Sequence, residues 1–244
     1  MEYALWLDFG LFLVTSALFV YVFMSSTITR LHKVYLTFHA CLLLWPLSQF
    51  AVETTDDPFY QSFYLKIGFA GISVVGVAWT IFAIFLSGSS YVLNRRSMTA
   101  LAIPTIAVVI LILLNPSGLF MKPVGTDYAE REYGPIFWIM VAIQFIYVVL
   151  SSALFMRTSR HSAAPRHRRQ VQTAVTGMVI LAVFALGDTF VNVVIDKQLP
   201  TISGLTSFGI LFSVIYFVIA IRRYGVFDVV RIAQVNVVDS MSTG

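Results

Sequence analysis

The chain has 244 residues, of which 58% are hydrophobic and 11% are charged, and its mean hydropathy is +0.84. Ordinary soluble domains carry about 25% charged residues, so this composition excludes a water-soluble globular protein and indicates that lipid covers most of the folded surface. The net charge of +4 does not indicate a nucleic-acid partner, because the basic residues lie between long apolar segments.

Seven apolar segments follow one another, each near the length of about 20 residues that a helix needs to cross the hydrocarbon core. They are residues 4–24, 34–52, 67–87, 99–114, 136–156, 171–195 and 205–221. We expect the first to be retained as a helix and not removed as a signal peptide, because it lacks a basic amino-terminal region and carries Glu2 and Asp8. The sequence therefore predicts an all-α membrane protein built as a seven-transmembrane helix bundle.

The basic residues are unequally shared between alternate loops. All but four of the 16 lysine and arginine residues fall on one side of the predicted membrane, the exceptions being Lys66, Lys122, Arg131 and Lys197. Cytoplasmic loops carry such an excess, so we expect the N-terminus outside and the C-terminus in the cytoplasm. The basic run at residues 166–169 lies on the cytoplasmic side, where contact with anionic lipid headgroups is expected and nucleic acid is not.

The sequence contains few side chains that could bind a cofactor. None of the four lysines lies deep in a span, which excludes a retinal Schiff base in the last helix. His39 is the one histidine within a span, so the paired histidines of a membrane haem are missing, and the single Cys41 offers no disulfide or metal site. The sequence predicts no cofactor, no metal and no enzymatic activity for this chain.

Polar and aromatic side chains in the second, fifth and sixth spans lie at one depth, in the outer half of the predicted bundle. Asp188 is interpreted as the only carboxylate well inside a span, and intramembrane ionisable groups usually face the bundle interior or a water-filled cavity. We predict an outward-opening pocket for a small, partly apolar ligand with a donor group directed at Asp188. The predicted ligand-binding residues are Asp188, Asn192, Gln144, Tyr147, Gln49 and Trp45.

Two other interpretations of these polar residues stay open. In one, the chain is a small transporter or channel that uses Asp188 as a proton or cation relay. In the other, the chain is a scaffold without a ligand, and polar groups such as Gln144 hydrogen-bond across helices. Trp138 is predicted to be an interfacial side chain and Trp79 to be core packing, while the loop at residues 115–135 is either an ordered lid or mobile.

A short amphipathic segment follows the last span. Five residues after Gly225 have heptad spacing, namely Phe227, Val230, Gln234, Val237 and Met241; a helix lying on the membrane surface is the alternative. We therefore predict a seven-helix bundle over residues 1–224 and a juxtamembrane stalk helix over residues 225–244, with Gly225 and the first four heptad residues transmitting a signal. Residues 241–244 do not read as a finished C-terminus, so we expect the chain to be truncated before a cytoplasmic output domain.

Four short motifs stand out along the chain: Tyr133-Gly134-Pro135-Ile136-Phe137-Trp138, Arg168-Arg169-Gln170, Leu199-Pro200 and Arg223-Tyr224-Gly225-Val226-Phe227-Asp228-Val229-Val230-Arg231-Ile232-Ala233. In these motifs the chain resembles the N-terminal seven-helix sensory region of bacterial and archaeal histidine kinases. The resemblance implies a receptor module of a homodimeric signalling protein in a prokaryotic inner membrane. It also implies that a following kinase, nucleotide cyclase or other output domain performs the chemistry.

Overall fold

The computed structural model describes residues 2–24, 29–87, 95–124, 127–161, 165–191, 205–224 and 226. The helices are α1 (Glu2–Phe23), α2 (Arg30–Glu53), α3 (Pro58–Leu86), α4 (Arg95–Leu114), α5 (Pro135–His161), α6 (Pro165–Thr189) and α7 (Leu205–Tyr224). A 3-10 turn (Pro116–Gly118) and two strands, β1 (Met121–Val124) and β2 (Asp127–Tyr133), lie between α4 and α5. All seven helices are long and apolar enough to cross a membrane, which confirms the predicted seven-transmembrane bundle.

Several helices extend beyond the apolar segments found in the sequence. The largest difference is in α3, which begins at Pro58 and not at residue 67. Asp57 caps this helix, since its side chain accepts a hydrogen bond from the backbone N–H of Phe59 at 2.8 Å, and Pro58 suits the first helical position. Hydropathy alone misses such a polar first turn, because the helix continues past the hydrocarbon core.

Six of the helices pack as a closed ring, and α4 lies against two of them, α3 and α5. Helix α3 is the most buried of the seven and contacts α2, α4 and α5, while α4 is the least buried. The ring closes because α5 packs on α6, α6 on α7, α7 on α1 and α1 on α2. We call the end that carries the strands the hairpin end, where α1, α3, α5 and α7 begin, and the opposite end the arginine end. The predicted orientation places the hairpin end outside the cell.

Two strands in the described part of the loop at residues 115–135 pair as an antiparallel hairpin. Strand β1 pairs with β2 so that Met121 lies opposite Tyr133. Phe120 and Met121 are completely buried. Phe69 of α3 contacts the rings of Phe120 and Tyr133 edge-on, at centroid distances of 5.2 and 5.9 Å. The hairpin is therefore docked on α3 by aromatic side chains.

Close backbone packing joins the hairpin to α5. A Cβ atom at Gly134 would lie 2.1 Å from the carbonyl oxygen of Leu119, so a side chain at this position has no room. The N–H of Gly134 donates to Phe120 at 2.9 Å, and the N–H of Ile136 donates to the same Leu119 oxygen at 3.2 Å. This close approach explains why glycine stands in the Tyr133-Gly134-Pro135 run.

An aromatic core fills the half of the bundle nearer the arginine end. Trp79 is 1% exposed, which confirms its predicted place in the core, and its indole ring contacts rings from four helices. These are Phe38 of α2, Phe82 of α3, Phe155 of α5 and Phe217 of α7, all at centroid distances of 5.2–5.5 Å. Trp138, by contrast, is 43% exposed on the first turn of α5, at the bundle end where an interfacial side chain is expected.

Candidate functional site

Two carboxylates meet the first turn of α7 at the hairpin end. Asp188 of α6 accepts a hydrogen bond from the hydroxyl of Thr206 at 2.5 Å. Asp8 of α1 accepts one from the hydroxyl of Ser207. Thr206 and Ser207 are consecutive, so both carboxylates bond to the same turn of α7. We call these four residues the carboxylate cluster.

The prediction that Asp188 is the only carboxylate well inside a span is wrong. Asp8 lies within the apolar part of α1 and is 3% exposed. It belongs to a stripe of buried residues with heptad spacing, which continues through Leu11, Thr15, Leu18 and Val22. That spacing is visible in the sequence and places Asp8 on the face that packs against other helices.

Close approach of α6 and α7 brings Asp188 to Thr206. A Cβ atom at Gly209 would lie 2.6 Å from Cβ of Phe184, and one at Gly177 would lie 2.9 Å from Cβ of Tyr216. Glycines at both positions let the two backbones pack closely along most of their length. The polar ends of both helices therefore face each other at short range.

Residues from the end of α2 lie near the cluster. The carboxylates of Glu53 and Asp188 both interact electrostatically with that of Asp8. The rings of Phe9 and Phe50 are 5.3 Å apart, so Gln49, the neighbour of Phe50, lies at the level of Asp8. The side-chain nitrogen of Gln49 is buried and has no hydrogen-bond partner within the part of the chain that the structure describes. The surroundings of the cluster are therefore acidic and hold one free amide donor.

Two of the predicted ligand-binding residues belong to a different contact. The Gln144 side chain donates to the backbone oxygen of Ser73 in α3 at 2.8 Å. The Tyr147 hydroxyl donates to the backbone oxygen of Leu101 in α4 at 2.5 Å and accepts from Thr105 at 3.2 Å. These bonds join α5 to α3 and α4, as expected for polar contacts between membrane helices.

The other predicted residues are placed as follows. Trp45 is 9% exposed and packs edge-on against Phe69 of α3, with ring centroids 5.2 Å apart. Asn192 lies outside the described residues. Of the predicted residues, Asp188 thus contacts α7 near Asp8, and Gln49 lies at the same level. Gln144, Tyr147 and Trp45 contact partners on α3 and α4 instead. Ligand binding by these residues remains a prediction.

The end of α7 is bonded to the start of α6 at the arginine end. Gln170 is completely buried and its side-chain nitrogen donates to the backbone oxygen of Tyr224 at 2.6 Å. Its side-chain oxygen accepts from Nδ1 of His167 at 3.2 Å. The N–H of Val226 donates to Ala220 at 3.3 Å. From the sequence, Gln170 could be identified only as part of a motif. The sequence does not show which carbonyl oxygen accepts a hydrogen bond from its side-chain amide.

The predicted transmission residues follow Tyr224 in the sequence. Gly225, Phe227, Val230, Gln234 and Val237 fall outside the described residues, so the stalk helix remains a prediction. Among the described residues, no group of three or more His, Cys, Asp or Glu side chains could hold a metal ion.

One comparison with known proteins gives a match. A family model described as the N-terminal 7TM region of histidine kinase matches residues 9–230. No curated protein and no solved structure matches the chain significantly. The matched region runs from the first turns of α1 past the end of α7 and therefore contains six complete helices and most of the seventh.

Proposed function

Because the chain belongs to the family of N-terminal seven-transmembrane regions of histidine kinases, we propose that it binds a small ligand at the carboxylate cluster. The family makes the chain a sensory, multi-pass membrane module that has no catalytic role of its own. In our proposal, the hairpin end faces outward from a prokaryotic inner membrane. Helix α7 and the stalk at residues 225–244 then pass the signal to a cytoplasmic output domain, in a homodimer.

The observation that carries the proposal is the bonding of two intramembrane carboxylates to consecutive hydroxyls of one helix. Asp8 and Asp188 come from helices that flank α7, so a ligand donor group that competes with Thr206 for Asp188 acts on α7 directly. A ligand shifts an equilibrium only through unequal affinity for two states. In our proposal, a donor group of the ligand replaces the Thr206 hydroxyl as the partner of Asp188. This replacement supplies the difference in affinity between the two states.

Helix α7 is also suited to carry the change across the bundle. It has 20 residues, a length of about 30 Å at 1.5 Å per residue. Its first turn bonds to the carboxylate cluster, and its last turn bonds to Gln170. A rigid helix held at both ends converts a shift at the hairpin end into a change at Tyr224, where the stalk begins.

A ligand screen tests the proposed site. Purified protein in lipid nanodiscs is screened against small amines, alcohols and amides by thermal shift, in the wild type and in Asp188→Asn. A hydrogen bond to a charged group contributes about 1.5–3 kcal/mol, so the affinity of a true ligand is expected to fall about 10- to 100-fold in Asp188→Asn.

Ser151→Ala is the matched control, because Ser151 is completely buried and bonds only within its own helix, to Tyr147 and Val148. The Ser151→Ala variant should bind the ligand with the same affinity as the wild type. If the Asp188→Asn variant also binds with wild-type affinity, the ligand-binding site lies elsewhere. Proton or sodium flux in liposomes that depends on Asp188 would instead support the transporter or channel interpretation.

A further inference from the structure

We propose that His32 makes the first turn of α2 a proton-sensitive element at the arginine end of the bundle. The turn is closed by hydrogen bonds while the His32 ring is neutral, and it opens when the ring gains a second proton. This device does not depend on the ligand site at the carboxylate cluster. Its evidence is the bonding between Thr29 and His32, the burial of the ring and the charges at this end of the bundle.

Thr29 and His32 bond to each other reciprocally at the start of α2. Thr29 precedes the helix with an extended backbone (φ −81°, ψ 172°), and its hydroxyl oxygen accepts from the backbone N–H of His32 at 3.3 Å. In return, the backbone N–H of Thr29 donates to Nδ1 of the His32 ring at 3.2 Å. Such a pair is a capping box, in which the third helical residue is usually Glu or Gln. Here a titratable imidazole takes that place.

These bonds require an unprotonated Nδ1. A backbone N–H only donates, so Nδ1 offers its lone pair and the hydrogen of the neutral ring is on Nε2. The Thr29 hydroxyl lies 2.7 Å from the same Nδ1 and donates to it, while its oxygen accepts from the N–H of His32. A proton on Nδ1 removes the acceptor of the Thr29 N–H and forces the hydroxyl contact to reverse its direction.

The surroundings of His32 also favour the neutral ring. His32 is 3% exposed, and burial penalises a charged side chain. Helices α1 and α3 pack on α2, and α7 contacts it through aromatic rings. The charged and titratable groups at the arginine end of these four helices are Arg30 and Lys33 of α2, Tyr21 of α1, and Arg222, Arg223 and Tyr224 of α7, while α3 contributes none after Lys66.

All the charged groups at this end of the four helices are cations. The carboxylate side chains of the described residues lie toward the hairpin end. An imidazolium ring at the start of α2 is therefore repelled by its charged surroundings, and it also opposes the positive end of the helix dipole. Protonation of His32 thus breaks a cap and adds an unfavourable charge at the same place.

The capped turn lies next to contacts that join α2 to α3 and α7. Tyr35 follows His32 by three residues on the same face of α2 and is 1% exposed. Its ring centroid lies 6.0 Å from that of Phe82 in α3 and 5.5 Å from that of Phe217 in α7. When the first turn opens, Tyr35 lies at the new end of α2, so a proton on His32 acts on the contact between α2 and α7.

Hydrogen exchange at the first turn of α2, measured against pH, tests the proposal. Free histidine becomes charged below about pH 6.5, so the turn is stable above that pH and loses stability as the pH falls. Protection factors of wild-type peptides that cover residues 29–34, which correct for the intrinsic pH dependence of exchange, are measured in nanodiscs. They are expected to fall about 5- to 30-fold between about pH 7.5 and about pH 5. Unchanged protection would overturn the proposal.

His32→Gln is the matched control. The side-chain oxygen of glutamine accepts the Thr29 N–H as Nδ1 does, and it gains no proton in this range. The other three histidines remain in this variant, so it separates His32 from every other group that titrates. Its protection should be the same at both pH values. If it falls as in the wild type, another group is responsible and the proposal is wrong.

Nitrogen NMR of the His32 ring covers the case in which His32→Gln fails to fold. Leu31-His32 is the only Leu-His pair in the sequence, so carbonyl-labelled leucine combined with ¹⁵N-labelled histidine identifies this residue in the wild type. At the higher pH, the proposal predicts an unprotonated Nδ1 and a hydrogen on Nε2. A hydrogen on Nδ1 at that pH would contradict the proposal, because the Thr29 N–H could not then donate to it.

Discussion

Trp79→Ala is expected to lower the free energy of unfolding by about 4 kcal/mol. The indole ring is 1% exposed and contacts rings of α2, α3, α5 and α7. Its removal leaves a cavity whose walls belong to four helices, so no single helix can move to fill it, and buried Trp→Ala changes cost roughly 3–5 kcal/mol. Reversible unfolding in mixed micelles measures the change.

Trp138→Ala is the control for this prediction. The same side chain is removed, but Trp138 is 43% exposed at the hairpin end, so a loss below about 1 kcal/mol is expected. Equal losses for the two variants would contradict the assignment of Trp79 to the bundle core.

Gly134→Ala is expected to destabilise the fold by about 3 kcal/mol and to release the hairpin from α3. The added Cβ would lie 2.1 Å from the backbone oxygen of Leu119. A backbone atom cannot rotate away as a side chain can, so strand β1 or the start of α5 must shift. We expect unfolding at lower temperature and faster hydrogen exchange at Phe120 and Met121.

Gly10→Ala separates this effect from the general effect of replacing glycine. Gly10 lies within α1, and a Cβ atom there would meet nothing within 4 Å. Since alanine is the better helix former by up to about 1 kcal/mol, Gly10→Ala should be neutral or stabilising. A Gly134→Ala variant as stable as Gly10→Ala would show that the hairpin packs differently from the structure described here.

Hydropathy and charge were sufficient to predict the bundle, because a chain in lipid must satisfy its backbone within helices. Trp79 was also predicted to be core packing, and the structure buries it. The start of α3 at Pro58 was missed, because a capped polar turn outside the hydrocarbon has no hydropathy signal.

The polar contacts were predicted less well than the helices. Asp8 was not predicted as a site residue, although its heptad spacing with Leu11 and Thr15 places it on the buried face. Gln144 and Asp188 have similar depths, but depth does not show which neighbour a side chain faces. Gln144 bonds to Ser73 of α3 and Asp188 to Thr206 of α7, a difference that depends on how the helices are arranged around the ring.

Hydrogen exchange at the end of α7 tests the central claim, that the carboxylate cluster is coupled to the point where the stalk begins. Asp188→Asn weakens the bond to Thr206 without adding bulk. Because coupling between sites is typically about 1–3 kcal/mol, the exchange rates of peptides ending at Tyr224 and Val226 are expected to change about 5- to 150-fold. Gln144→Leu, which alters an α3–α5 contact, should leave these peptides unchanged. If Asp188→Asn changes exchange only at the hairpin end, α7 does not carry a signal and the sensory account of the cluster is wrong.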